Sequence, residues 1–174
     1  MSKLIAVLLA VLFAFFGCMR RPGLTIEALK NGQYRVENFE GIIQLRDGRY
    51  EGEPYVEGAA SRPVFILSDL SALGDLNGDG VEDAAAILVG NFGGSGTFYY
   101  LRAVINQMGK PMDVAGALLG DRIRLESIRI SEGMITIGMV EHGQGDPMTS
   151  PSAAAVVVYR LQGKQLIQES RNSY

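Results

Sequence analysis

The nine residues Asp75-Leu-Asn-Gly-Asp-Gly-Val-Glu-Asp83 constrain this chain more than any other stretch, because oxygen-bearing side chains recur at alternate positions around two glycines. Such a run suits neither a helix nor the interior of a strand: Asn-Gly and Asp-Gly steps favour positive φ and turn the chain. Ser71 to Leu73 therefore leads into this turn, and the apolar Ala84 to Val89 is expected to leave it as a strand. The turn also carries hard donors. Calcium takes six to eight oxygens at about 2.3–2.6 Å, and a tight loop supplies them by turning its first, third and fifth side chains inward. Here those are Asp75, Asn77 and Asp79; Gly80 supplies the sharp bend, Val81 a backbone carbonyl and Asp83 the last carboxylate. Three carboxylates within about 4–6 Å raise one another's pKa, a cost that a cation removes. The same dipeptides also fit a metal-free turn, so the residues alone leave that reading open.

A helix-loop-helix hand would need a bidentate glutamate at the twelfth position, which is Ala86, and the flanking Val81 to Val89 is not an amphipathic helix. The loop instead resembles the D-x-[DN]-x-D-G-x-x-D type of FG-GAP repeats, including those of integrin α-chain propellers, where it joins two β-strands. Carried over residue by residue, the resemblance implies Asp75, Asn77, Asp79 and Asp83 as side-chain ligands and Val81 as a carbonyl ligand. A propeller would need the motif repeated blade by blade. It occurs once, so the resemblance implies a loop and not a propeller.

The chain opens with Lys3 and an apolar run from Leu4 to Gly17, followed by Cys18-Met19-Arg20-Arg21-Pro22. Fourteen residues are too few for a comfortable transmembrane helix, which needs about 20. The run reads as a secretory signal, residues 1–17, to be set apart from the fold. Cys18 is the sole cysteine, which precludes an intramolecular disulfide. Phe15-Phe16-Gly17-Cys18 resembles the lipobox of bacterial lipoproteins, with Phe15 and Phe16 standing where Leu and a small residue are usual. That resemblance implies cleavage before Cys18, acylation of Cys18 and a tether over residues 18–23. An uncleaved anchor with an incidental cysteine is the other reading, and either puts a membrane nearby. Met19 stands where some lipoproteins carry an aspartate that retains them at the inner membrane, which points to the outer membrane in a cell that has one. Removing residues 1–17 removes one base and no acid, leaving 15 against 19 and a mild charge of −4. No basic cluster survives beyond Arg20-Arg21, which argues against a nucleic-acid footprint.

Residues 24–174 are one domain's worth of chain. Leu24 to Leu29 is expected as a short helix. Gln33 to Val36 and Gly41 to Leu45 alternate in type, and Asp47-Gly48 turns the chain into Arg49 to Glu51. Further strands are expected over Val64 to Leu67, Ala84 to Val89 (apolar enough to be buried on both faces), Thr97 to Ile105, Ala154 to Leu161 and Gln165 to Glu169, before a polar tail. Met112 to Leu119 fits a strand or one helical turn. Ile123 and Leu125 change phase against Ile128 and Ile130, which implies a bulge near Glu126-Ser127, and Glu132-Gly133 leads into Ile135, Ile137 and Met139. The fold class expected is mainly β, an antiparallel sheet or sandwich (all-β or α+β) with one short N-terminal helix.

Other chemistry is sparse. The glycine-rich turn Gly90 to Gly96 lacks the lysine and following helix of a phosphate loop, and Thr97 breaks a nucleophile elbow around Ser95. Glu141-His142-Gly-Gln-Gly-Asp146-Pro147 gathers the single histidine with two acids, a thin set for a hydrolase. One histidine and one cysteine cannot make an ordinary zinc set. Gly74 to Ala85, Gly93 to Leu101, Leu118-Leu-Gly-Asp-Arg122 and Asp146-Pro-Met148 together are similar to a domain of exported bacterial lipoprotein-type proteins, over roughly Leu24 to Leu161. Relatives of that type often carry a cysteine pair where this chain has Thr149-Ser150, so no disulfide or metal role comes with it. The resemblance implies location and fold, and no activity. Two functions follow as expectations: a non-enzymatic, lipid-anchored protein of the cell envelope with a structural calcium loop, partnered by the membrane and by another envelope protein or a glycan; or a calcium-dependent envelope hydrolase using His142 with Glu141 or Asp146.

Overall fold

The computed structural model describes residues 21–174; the expected signal segment 1–17 and the acylation site Cys18 lie outside the described residues. The chain begins with a one-turn helix α1 (Ile26–Lys30), started by the Thr25 hydroxyl accepting from Ala28 N–H at 3.1 Å. Two short strands follow, β1 (Gln33–Tyr34) and β2 (Ile43–Gln44), paired antiparallel. Next comes a five-stranded antiparallel meander: β3 (Arg49–Glu51), β4 (Val64–Gly74), β5 (Asp83–Asn91), β6 (Phe98–Gln107) and β7 (Lys110–Asp121). A four-stranded meander completes the fold: β8 (Arg124–Ser131), β9 (Met134–Glu141), β10 (Ala153–Gln162) and β11 (Gln165–Ser173).

Every neighbour in each meander is a neighbour in sequence, and two-residue turns join β6 to β7, β8 to β9 and β10 to β11. The β6–β7 and β8–β9 connections place Met108-Gly109 and Glu132-Gly133 at positive φ, which matches the right-handed twist of the strands they join.

The two sheets bury one core between them, and α1 with β1 and β2 covers the opposite face of the five-stranded sheet. Ala85, Ile87, Leu101 and Ala103 meet Ile135, Ile137, Met139, Val157 and Tyr159 across the sandwich. Ala84, Ala86, Leu88, Tyr100 and Val104 instead pack under Leu24, Leu29, Tyr34, Ile43 and Leu45. β5 is therefore covered on both faces, as its continuous apolar run predicts. Glycine lets the second core close: a Cβ at Gly90 would lie 2.5 Å from the Phe65 ring, which also stacks edge-on against Phe39 and Phe92 at centroid distances of 5.1 and 5.6 Å.

The expected fold class holds: the protein is mainly β, with antiparallel sheets and one short N-terminal helix. The bulge expected near Glu126-Ser127 falls between Leu125 and Ser127. Two details differ from the sequence reading, and one open alternative is resolved. Residues 64–67 and 71–73 belong to one strand, β4, interrupted by a register shift where Leu70 N–H bonds to the Ser68 hydroxyl. The ambiguous segment 112–119 is strand, held by β6 along its length. The polar tail beyond Glu169 continues as β11, because an edge strand draws its stability from backbone pairing with β10 and from ion pairs such as Arg171 with Glu141, and needs no apolar side chains.

Phe65→Ala should cost about 3–5 kcal/mol of unfolding free energy, since it empties the centre of the second core. Ile167→Ala on the exposed face of β11 should cost under about 1 kcal/mol, and urea titrations of the two variants measure the contrast.

Candidate metal loop

The loop between β4 and β5 is pinned at two points and open in the middle. Leu76 inserts into the core between the sheets, the one buried apolar side chain of the turn. Asp83, the first residue of β5, is 0% exposed. Its Oδ2 accepts Leu76 N–H at 3.0 Å and its Oδ1 accepts Asn106 N–H at 2.8 Å. One carboxylate thus closes the loop on itself and ties it to the end of β6.

Asn106 extends the tie: its amide donates to the carbonyls of Pro22 at 2.8 Å and Glu82 at 3.1 Å, and its Oδ1 accepts Gly109 N–H. The start of the domain, the loop and the β6–β7 hairpin meet at this asparagine.

Asp75, Asn77 and Asp79 occupy the outward part of the turn and organise it through their own backbone. Asp75 Oδ1 accepts from Asn77 and Gly78, and its Oδ2 accepts from Gly80. Asn77 Oδ1 accepts Asp79 N–H and Asp79 Oδ1 accepts Val81 N–H, each closing a small side-chain turn. Gly78 and Gly80 take φ of 81° and 77° with open space around them, as the bends require. The electrostatics split the carboxylates. Backbone N–H groups, Gly80 first, hold Asp75 below the usual carboxylate range. Burial pushes Asp83 up, and the charges of Asp79 and Asp75 add to that push against the N–H groups of Asn106 and Leu76.

The five residues expected as ligands therefore share one turn, but not one role. Asp83 is buried and spends one oxygen on Leu76 and one on Asn106, Asp75 is half-buried and spends both oxygens on backbone N–H groups of the loop, and Asn77 and Asp79 are exposed, with Arg21 3.7 Å from Asp79 Oδ2. Among the described residues, no three His, Cys, Asp or Glu side chains are gathered as a ready-made metal cage. The donor chemistry still fits a hard cation: carboxylate and amide oxygens only, on a glycine-bent backbone.

The second acidic cluster has other work. Asp146 accepts from Gly143 N–H, Ser152 N–H and the Ser152 hydroxyl, each at 2.8 Å, so it folds the connection between β9 and β10. Those bonds, Gly143 first, hold its carboxyl below the usual range. Glu141 pairs with Arg171 and accepts the Ser173 hydroxyl, joining the ends of β9 and β11. Both ring nitrogens of His142 are buried without a hydrogen-bond partner among the described residues.

Sequence reasoning missed one further constellation. Arg102 on β6 and Asp113 on β7, 7% and 6% exposed, form a two-pronged pair with both contacts at 2.9 Å. Asp113 also accepts Arg35 N–H at 2.8 Å, which fastens the N-terminal cover to the sheet. Gly116 makes the room: a Cβ there would lie 1.6 Å from Arg102 Nη1. An arginine with an aspartate and a glycine on the adjoining strand was the available signal, hidden without the register.

Comparison with family models, curated proteins and solved structures finds no match.

Asp83→Ala leaves two buried N–H groups without an acceptor and should cost about 2–5 kcal/mol in chelator. Asp79→Ala, at the exposed part of the turn, should change unfolding in chelator by less than about 1 kcal/mol. Guanidinium unfolding of both variants separates the structural carboxylate from the outward ones.

Proposed function

We propose that this chain is a non-enzymatic, lipid-anchored protein of the bacterial cell envelope, exported by residues 1–17, acylated at Cys18 and stabilised by calcium in the 75–83 loop. The observation that carries the calcium reading is the division of labour inside the turn. Asp83 and Leu76 fix the loop from the core side, Asp75 gathers the Asn77, Gly78 and Gly80 N–H groups so that the turn curls around its carboxylate, and Asn77 and Asp79 lie exposed. Calcium would draw on Asp75, Asn77, Asp79, the Val81 carbonyl and Asp83, and what it supplies is charge compensation for carboxylates that otherwise repel. Extracellular modules of this kind bind at about 10⁻⁴–10⁻³ M. At about 1 mM calcium, mass action then adds on the order of 0.5–1.5 kcal/mol of stability. That magnitude suits reinforcement of a fold. The partners of such a protein are the membrane, through its lipid, and a second envelope component, protein or glycan.

The alternative is a calcium-dependent hydrolase built on His142 with Glu141 or Asp146. It has less support, because a general base needs an orienting partner and both acids direct their oxygens elsewhere: Glu141 to Arg171 and Ser173, Asp146 to Gly143 and Ser152.

Isothermal titration of residues 19–174 with calcium should give one site with a Kd of about 10⁻⁴–10⁻³ M, lost in Asp79→Ala. His142→Ala should leave both this binding and the protein's role in the cell intact. Absence of binding in the parent would remove calcium from the account, and loss of the cellular role in a folded His142→Ala protein would favour the hydrolase.

A further inference from the structure

The hairpin architecture sorts the connections of the sandwich into two ends. The 75–83 loop, Met108-Gly109, Glu132-Gly133 and Gly163-Lys164 lie at one; the β5–β6 turn around Ser95 and the β9–β10 connection lie at the other. The first end is knit across the sheets, with a Cβ at Gly133 lying 3.9 Å from the Leu76 carbonyl and one at Gly74 lying 2.7 Å from Ile130. The ends are separated by the length of β6, ten residues or about 30 Å.

The N-terminal segment enters the domain at the first end. The Pro22 carbonyl accepts from the Asn106 amide at 2.8 Å, a Cβ at Gly109 would lie 3.3 Å from the Pro22 ring, and Arg21 reaches Asp79 at 3.7 Å. Only three residues separate Pro22 from Cys18, a reach of at most about 14 Å of extended chain. An acylated Cys18 lies at the bilayer surface, so its chain cannot let this end rise far from the lipid. Beside the entry point stands Met108, an apolar side chain 85% exposed at the tip of the β6–β7 hairpin. The segments at this end carry Arg21 and Lys110 as positive charges and Asp75, Asp79, Glu82 and Glu132 as negative ones. Calcium in the loop would shift that rim toward neutrality and lower its repulsion from anionic headgroups.

We infer that the loop-bearing end of the sandwich, with the Met108 hairpin, is its bilayer-facing surface, seated on phospholipid headgroups and directing the 91–97 turn and the 142–152 connection outward to other partners. This inference rests on the proposed acylation of Cys18. Because acylation consumes the sole native cysteine, a single introduced thiol can be labelled cleanly in the full, membrane-extracted protein. Met108→Cys and Ser95→Cys, both at exposed turns, carry a donor fluorophore on vesicles of phosphatidylethanolamine and phosphatidylglycerol with a headgroup-attached acceptor, in 1 mM calcium.

The expected result is strong energy transfer at position 108 and weak transfer at position 95, as a difference of about 30 Å demands. Equal transfer at the two positions, or stronger transfer at 95, overturns the inference while leaving the anchor in place. The intact mass of the same sample tests the anchor separately: lack of the diacylglyceryl increment on Cys18 refutes the anchor and the inference together.

Discussion

The Asp83 carboxylate is the interaction on which the middle of this molecule depends. Its two oxygens serve two different parts of the chain, Leu76 within the loop and Asn106 at the end of β6, and it does so with no solvent exposure. A buried carboxylate is costly unless its lone pairs are used, and here the use is architectural. Through Asn106 the same node reaches Pro22 and Glu82. The entry of the chain, the acidic turn and the β6–β7 hairpin are thereby one unit, which is why a cation bound to the turn would be felt in the stability of the whole domain.

The second dependence is on the Arg102–Asp113 pair. Its worth lies less in net stability, which a buried ion pair does not guarantee, than in where it sends its remaining valence. Asp113 accepts Arg35 N–H, so the pair fixes the cover of α1, β1 and β2 over the five-stranded sheet. The Tyr34 hydroxyl, bonded to the Leu29 carbonyl at 2.7 Å, stiffens that cover from within. Burial of that phenol, with the Asp113 charge opposing its ionisation, keeps it in the neutral donor form. The five-stranded sheet thus has two cores, and β5, rich in alanine, is the thin layer that lets both close upon it.

Much of this was legible in the residues. The apolar run of Ala84 to Val89 announced a strand covered on both faces, and the phase change between Leu125 and Ile128 announced the β8 bulge. Paired dipeptides such as Glu132-Gly133 marked the hairpins because positive φ is chemically specific. The polar β11 was not legible, since edge strands are held by backbone bonds that no side-chain pattern records. Nor was the unequal standing of the loop carboxylates: spacing makes Asp75, Asp79 and Asp83 look equivalent, while the sheet behind them buries only Asp83. Arg102 and Asp113 lie eleven positions apart and became partners only through the β6–β7 register.

Calcium held by the 75–83 turn would reach the rest of the fold through the Asp83 node. The most direct measurement is a thermal melt of residues 19–174 in excess chelator and then in about 1 mM calcium, for the parent and for Asp79→Ala. The account predicts a rise in midpoint of a few degrees for the parent, as on the order of 0.5–1.5 kcal/mol gives in a domain of this size, and none for the variant. Identical melts for the parent with and without calcium would contradict it and leave the stretch a well-pinned turn.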